Sequence, residues 1–128
     1  MTKYKIAFTS LAIVLLTGTL SAAPLYISEN RTPSPVGGMQ MLGQSAKYPQ
    51  WAQEDRIESD VVILFKVEAD GNISNMRIVQ SGGLAFDKSA INAVLNTSWQ
   101  PAMQNGEAVA VTLELPFEYR VQDGLLNP

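Results

Sequence analysis

The chain contains no histidine and no cysteine, and only 16% of its 128 residues are charged. Imidazole and thiolate are the usual groups for proton transfer near neutral pH, covalent attack and tight transition-metal binding. Their absence excludes Ser-His and Cys-His catalysis, zinc fingers, disulfide frameworks and thioredoxin-like redox chemistry. Positive charge is scarce too: 9 Lys and Arg stand against 12 Asp and Glu, for a net charge of −3. Lys3 and Lys5 lie in a targeting-type segment, and without them 7 basic residues face 12 acidic ones, a net charge of −5. Nucleic acid is therefore not an expected partner. What is present is enough length for one small domain, with 46% hydrophobic residues.

The amino terminus has the order of an export signal: two lysines within Met1–Lys5, an apolar run through Leu11-Ala12-Ile13-Val14-Leu15-Leu16, then small and polar residues from Thr17 to Ala23. Residues 1–23 are thus expected to be a signal peptide or, if retained, a membrane anchor. Ile6–Ala23 spans 18 residues, close to the roughly 20 that cross a bilayer core. Either way the remainder is expected to cross the membrane and fold outside the cytoplasm, with membrane contact only through residues 6–23. Residues 24–45 hold Pro33, Pro35, Gly37, Gly38 and Gly43 without a sustained apolar period, and read as a flexible tether. Stretched fully, it reaches about 80 Å at roughly 3.5 Å per residue.

A folded domain is expected over 46–122, with 123–128 as a tail. Tyr48-Pro49 followed by Gln50–Asp55 predicts a short helix with proline at its first turn. Val61–Glu68 is rich in β-branched and aromatic residues and predicts a central strand. Asp70-Gly71 is a hairpin signal returning the chain along Ile73–Gln80. Asp70 and Asn72 lack the spacing of a calcium loop and read as a turn. Ser81-Gly82-Gly83 lacks the Gly-Lys-Ser/Thr of a phosphate loop and reads the same way. Asp87 is expected to cap the next helix, with Phe86 packed on Ile91, and Ile91, Val94, Leu95 and Ser98 sharing its inner face. Trp99-Gln100-Pro101-Ala102 ends that helix, and Asn105-Gly106 makes a turn before a strand over Ala108–Val121. That strand alternates, and Pro116 within it confines it to a sheet edge or a bulge. The fold class is α+β: a three-stranded antiparallel or mixed sheet, with a short N-terminal helix and one crossover helix packed on one face. The acidic group Glu54, Asp55, Glu58 and Asp60 reads as a solvated face, so no catalytic residue, metal site or cofactor is expected and the chain is read as no enzyme.

Tyr48-Pro49, Ala52, Arg56-Ile57-Glu58, Asp70-Gly71, Val79-Gln80-Ser81-Gly82-Gly83, Phe86-Asp87, Ala90, Ala93-Val94, Trp99-Gln100-Pro101-Ala102, Asn105-Gly106 and Leu115-Pro116-Phe117 occur in this order. Together they resemble the carboxy-terminal domain of the TonB family over Ala46 to about Gln122. The resemblance implies a periplasmic domain of Gram-negative bacteria that docks on outer-membrane receptors and is energised by a proton-motive-force complex in the inner membrane. Three features depart from the family pattern. The histidine of its membrane helix has no counterpart, its long Pro, Lys and Glu-rich spacer is replaced by a short one, and Ser59-Asp60 follows Ile57-Glu58 where the family commonly has glycine.

The same resemblance implies that an extended peptide of a partner adds to the last strand. The expected partner is an outer-membrane transporter peptide or another envelope protein. Thr112, Glu114, Pro116, Glu118 and Arg120 are the candidate contacts on that strand, with Tyr48 and Pro49 assisting; for Tyr48-Pro49 the alternative is helix-start packing. Two functions follow as expectations: strand-addition binding linked to energy-dependent transport across the outer membrane, or a free periplasmic adaptor without energy coupling. An open edge also permits strand-exchanged homodimers.

Overall fold

An antiparallel sheet carries the fold. The computed structural model describes residues 4–7, 12–14 and 30–122. In chain order the elements are β1 (Tyr4–Ala7), β2 (Ala12–Val14), β3 (Ser34–Pro35), α1 (Gly38–Ser45), α2 (Gln50–Glu54) and β4 (Ser59–Val67), followed by β5 (Ile73–Gln80), α3 (Leu84–Asn96), β6 (Trp99–Gln100), β7 (Ala102–Gln104), β8 (Glu107–Val109) and β9 (Val111–Val121). The main sheet has the order β1-β9-β4-β5, with β2 also paired to β9. The architecture is α+β, and its centre is the expected three strands: β4 pairs antiparallel with β5 on one side and β9 on the other.

Alternation sets which face is inside. Along β4, Val61, Ile63, Phe65 and Val67 are buried, and along β9 so are Val111, Leu113, Leu115, Phe117 and Tyr119. In register these pair as Val61↔Phe117, Ile63↔Leu115 and Phe65↔Leu113, so each inward side chain sits beside another. Helix α3 covers this face through Phe86, Ala90, Ala93 and Val94. Two alanines let the helix backbone approach the sheet, while Leu95 stays 57% exposed and Ser98 is also exposed. The inner face is therefore rotated from the one predicted, because Ala90 and Ala93 extend the apolar stripe on one side and leave Leu95 on the other. Asp87 also differs from its expected role as the capping residue. The helix starts at Leu84, with Gly83 at the cap position, and Asp87 lies in the first turn. From there its carboxylate reaches back to accept the Gly82 N–H at 2.9 Å and the Ser81 hydroxyl at 2.5 Å.

Residues 30–45 depart from the expected tether. Arg31 bridges Met103, β3 pairs with β6, and α1 buries Leu42 completely. Pro33 and Pro35 are buried as well. Proline and glycine there shape short turns against the β6–β8 region instead of leaving the chain free, and the packed unit begins near Asn30. Residues 24–29 and 123–128 lie outside the described residues. So does most of the expected leader, of which 4–7 and 12–14 are described, as strands. Among the described residues no helix is long and apolar enough to cross a membrane.

The hairpin between β4 and β5 turns at Asp70-Gly71 as expected. Asp70 Oδ1 accepts the Asn72 N–H at 3.0 Å, and Gly71 has φ 87°. The β7–β8 hairpin turns on Asn105 and Gly106, both at positive φ, the geometry that favours this pair.

Candidate functional site

The central strands β9-β4-β5 have two outer sides, that of β5 and that of β9 on which β1 and β2 pair, and they differ in regularity. On β5, the register with β4 shifts twice, between Val62 and Ile63 and between Leu64 and Lys66. Asn75 adds a left-handed residue at φ 50°. Irregularities of this kind twist an edge away from further pairing. By contrast, β9 pairs with β4 through nine successive positions, from Ser59↔Tyr119 to Val67↔Val111, without a shift.

Backbone donors on β9 can be assigned to sides. The Val121 N–H donates to Glu58 Oε2 at 2.9 Å, on the β4 side. Because N–H groups of a strand alternate sides with period two, the odd-numbered amides face β4 and the even-numbered ones face away from it. Thr112, Glu114, Glu118 and Arg120 therefore point their N–H groups to the outer side. Pro116 holds the fifth such position and has no N–H to offer. All five strand residues expected from the sequence thus fall on one line. Their side chains are half-buried and lie on the sheet face opposite α3.

Arg120 organises the charge at one end of this line. Its guanidinium contacts Asp60 Oδ1 at 2.6 Å and donates to the Ser59 and Tyr119 carbonyls at 3.3 and 3.1 Å. Desolvation opposes the charge, but the Asp60 hydrogen bond and the charges of Asp60, Glu118 and Glu58 outweigh it and raise the pKa. Half-exposed as it is, the pair is worth at most about 1 kcal/mol to stability. The acidic group seen in the sequence is divided among separate tasks: Asp60 pairs Arg120, Glu58 accepts Val121 N–H, and Glu54 accepts a hydrogen bond from Gln50 at 3.0 Å.

Tyr48 is not brought to this line. It is 5% exposed, and its hydroxyl donates to the Ile57 carbonyl at 2.5 Å. Its ring packs edge-on against Phe86 and Tyr119, at 5.8 and 5.5 Å. That placement is the helix-start packing alternative, and Pro49 follows at the cap of α2. Tyr119 anchors the same cluster from β9. Its hydroxyl donates to Ser89 Oγ at 2.9 Å, and Ser89 in turn donates to the Lys47 carbonyl at 2.5 Å. Burial pushes the Tyr119 phenol up to about 12, with Asp87 adding to the rise and the Ser89 bond opposing it.

One surface escaped sequence reading. Trp51, Ile57 and Leu84 are 49%, 40% and 77% exposed and, with Phe86, line a groove of about 540 Å³ beside the start of β4. A lone tryptophan on a five-residue helix gives no periodic signal that would have flagged it.

The regular outer side of β9 and the apolar groove beside α2 are the two candidate docking surfaces of this α+β domain. A family model described as Gram-negative bacterial TonB protein C-terminal matches residues 44–121, and the chain belongs to that family. Similar relatives include proteins called Protein TonB from Vibrio cholerae, 27% identical over 77 residues, and from Pseudomonas aeruginosa, 28% identical over 76 residues. Each match covers 59% of this chain, but only 32% and 22% of those relatives. The solution structure of the Pseudomonas aeruginosa TonB C-terminal domain is 25% identical, with a TM-score of 0.55 over 71% of this chain and 88% of that one.

Proposed function

We propose that this domain binds an extended segment of a periplasmic partner along the outer side of β9, and that this binding serves energy-dependent transport across the outer membrane. The observation that carries the reading is the row of outward N–H groups at Thr112, Glu114, Glu118 and Arg120 on a strand in continuous register with β4. Main-chain bonds give affinity there, and the charged pair Arg120–Asp60 with Glu118 selects among sequences. Family membership supports the link to transport and, with it, a partner that is an outer-membrane transporter peptide or another envelope protein.

A second reading, a periplasmic adaptor without energy coupling, is favoured by the packing of 30–45. With those residues folded onto the domain, only 24–29 separate it from the expected leader, and six residues span about 20 Å at most. A domain held that close to an inner-membrane anchor would meet partners near that membrane.

Glu118→Pro tests the proposal. It removes one outward N–H, and Pro116 demonstrates that an even-numbered position of β9 tolerates proline without disturbing the β4 register. Cells lacking the chain are expected to lose accumulation of solutes taken up actively across the outer membrane. Wild type should restore uptake, and the proline variant, folded by circular dichroism, should not. Undiminished uptake without the chain would remove the transport role and leave the adaptor reading. Full rescue by Glu118→Pro would remove strand addition at this site.

A further inference from the structure

The outer side of β9 is occupied, and the occupant is the chain's own amino-terminal segment. β1 pairs antiparallel with the far end of β9, as Tyr4↔Val121, Lys5↔Arg120, Ile6↔Tyr119 and Ala7↔Glu118. β2 pairs with the near half, as Ala12↔Glu114, Ile13↔Leu113 and Val14↔Thr112. The two ladders together reach all four outward-facing amides, at Thr112, Glu114, Glu118 and Arg120. Neither ladder includes 115–117, and the register slips by one residue between them, so the break falls where Pro116 has no N–H. Ile6, in register with the buried Tyr119, packs against the hydrophobic core.

The geometry points to a self-capped edge: β1 and β2 compete with a partner strand for the same side of β9. The edge opens only when this segment is cut off or drawn into a membrane. The inference rests on the strand-addition reading for its consequence, though not for the contact itself. It explains how one apolar segment serves two ends. Tyr4–Val14 is mostly Ile, Ala, Leu, Val and Phe, a composition suited equally to a bilayer and to a β ladder. In water it covers the edge that would otherwise template aggregation. In a membrane, or after cleavage between Thr17 and Ala23, it leaves that edge free for a partner. The domain would thus become competent to bind only after its leader has reached its destination.

The test uses the full chain and a double variant, Ala7→Pro with Ala12→Pro, at the residues opposite the outward amides of Glu118 and Glu114, followed by residue-resolved amide hydrogen exchange. Proline at these two positions breaks both outer ladders without touching β9 itself. Exchange at Thr112, Glu114, Glu118 and Arg120 should be about tenfold or more faster in the variant, since each loses a hydrogen-bonded partner. Leu113, Leu115, Phe117 and Tyr119, which face β4, should exchange equally in both chains and so report an intact fold. A labelled peptide of sequence Tyr4–Val14 should bind the variant and be refused by the intact chain. Equal exchange at the four outer amides would overturn self-capping. If they accelerate while Glu118→Pro still restores transport, self-capping stands and the strand-addition reading fails instead.

Discussion

Gly82 is the position where adding a single methyl group should hurt most. Its φ lies outside the left-handed region, so alanine meets no backbone strain there, and shortening the unfolded chain's repertoire would by itself stabilise by about 0.4–1 kcal/mol. Space decides the sign. A Cβ on Gly82 would lie 2.4 Å from Ser59 Oγ, 2.7 Å from the Asp60 carbonyl oxygen and 2.9 Å from a Val61 methyl. The Ser59 hydroxyl can rotate away only by giving up its 2.6 Å hydrogen bond to the Gly82 carbonyl, a loss of about 1 kcal/mol. The Asp60 oxygen belongs to the backbone of β4 and cannot move without disturbing the pairing with β9. Overpacking of this kind costs about 1–3 kcal/mol, so Gly82→Ala should destabilise by about 2 kcal/mol net.

Urea denaturation followed by far-UV circular dichroism, with unchanged slope and lowered midpoint, is the readout. Ser59→Ala removes the nearest of the three obstructing atoms. The double variant should therefore lose about 0.5–1 kcal/mol less than the two single variants together. A Gly82→Ala protein as stable as wild type would refute the reasoning, since it would mean that the loop between β5 and α3 yields freely and does not clamp the start of β4. Additive single and double variants would refute the assignment of part of the cost to Ser59.

Leu42→Ala should cost about 3 kcal/mol, within the usual 2–5 for a fully buried leucine, whereas a leucine in a free tether would cost nothing measurable by the same denaturation assay. Alkaline stability should fall between pH 10 and 12. Tyr119 is raised from 10 to about 12 on folding, so its neutral form stabilises the native state by about 3 kcal/mol below pH 10, and that contribution disappears as pH passes 12. Urea midpoints at pH 9 and 11.5 should converge in Tyr119→Phe relative to wild type; an identical pH dependence in both proteins would place the titration elsewhere.

Local signals were the legible ones. The run Val61–Val67, the Asp70-Gly71 and Asn105-Gly106 turns and the alternation after Val111 each specify their structure within a few residues, and they appear where expected. Leu42 and Met39 were concealed because Gly37, Gly38 and Gly43 interrupt any period, while α1 packs against α3, far along the chain. The inner face of α3 was misjudged because Ala90 and Ala93 carry little hydrophobic weight although they set the closeness of helix and sheet. On β9 the five residues singled out from the sequence share one outward line, which Pro116 already hinted at. It could not reveal the side of each amide, which required Val121 N–H to be seen on Glu58.

The pairing of β9 with β1 and β2 also sets how strong a partner must be. Four outward hydrogen bonds at about 0.5–1.5 kcal/mol each give a few kcal/mol in total, which by main chain alone corresponds to affinities near the millimolar range. A segment tied to the domain through residues 15–29 acts at an effective concentration of about millimolar, whatever the protein's own concentration. A free peptide of equal intrinsic affinity present at micromolar levels would therefore be outcompeted about a thousandfold. To prevail it would need about 4 kcal/mol of additional contacts, from the Arg120–Asp60 pair or from the Trp51, Ile57 and Leu84 groove. Removing the segment has the same effect as those contacts without any change to the partner. For the proposed self-capped edge, release of β1 and β2 is thus the stronger lever, and partner sequence the weaker one.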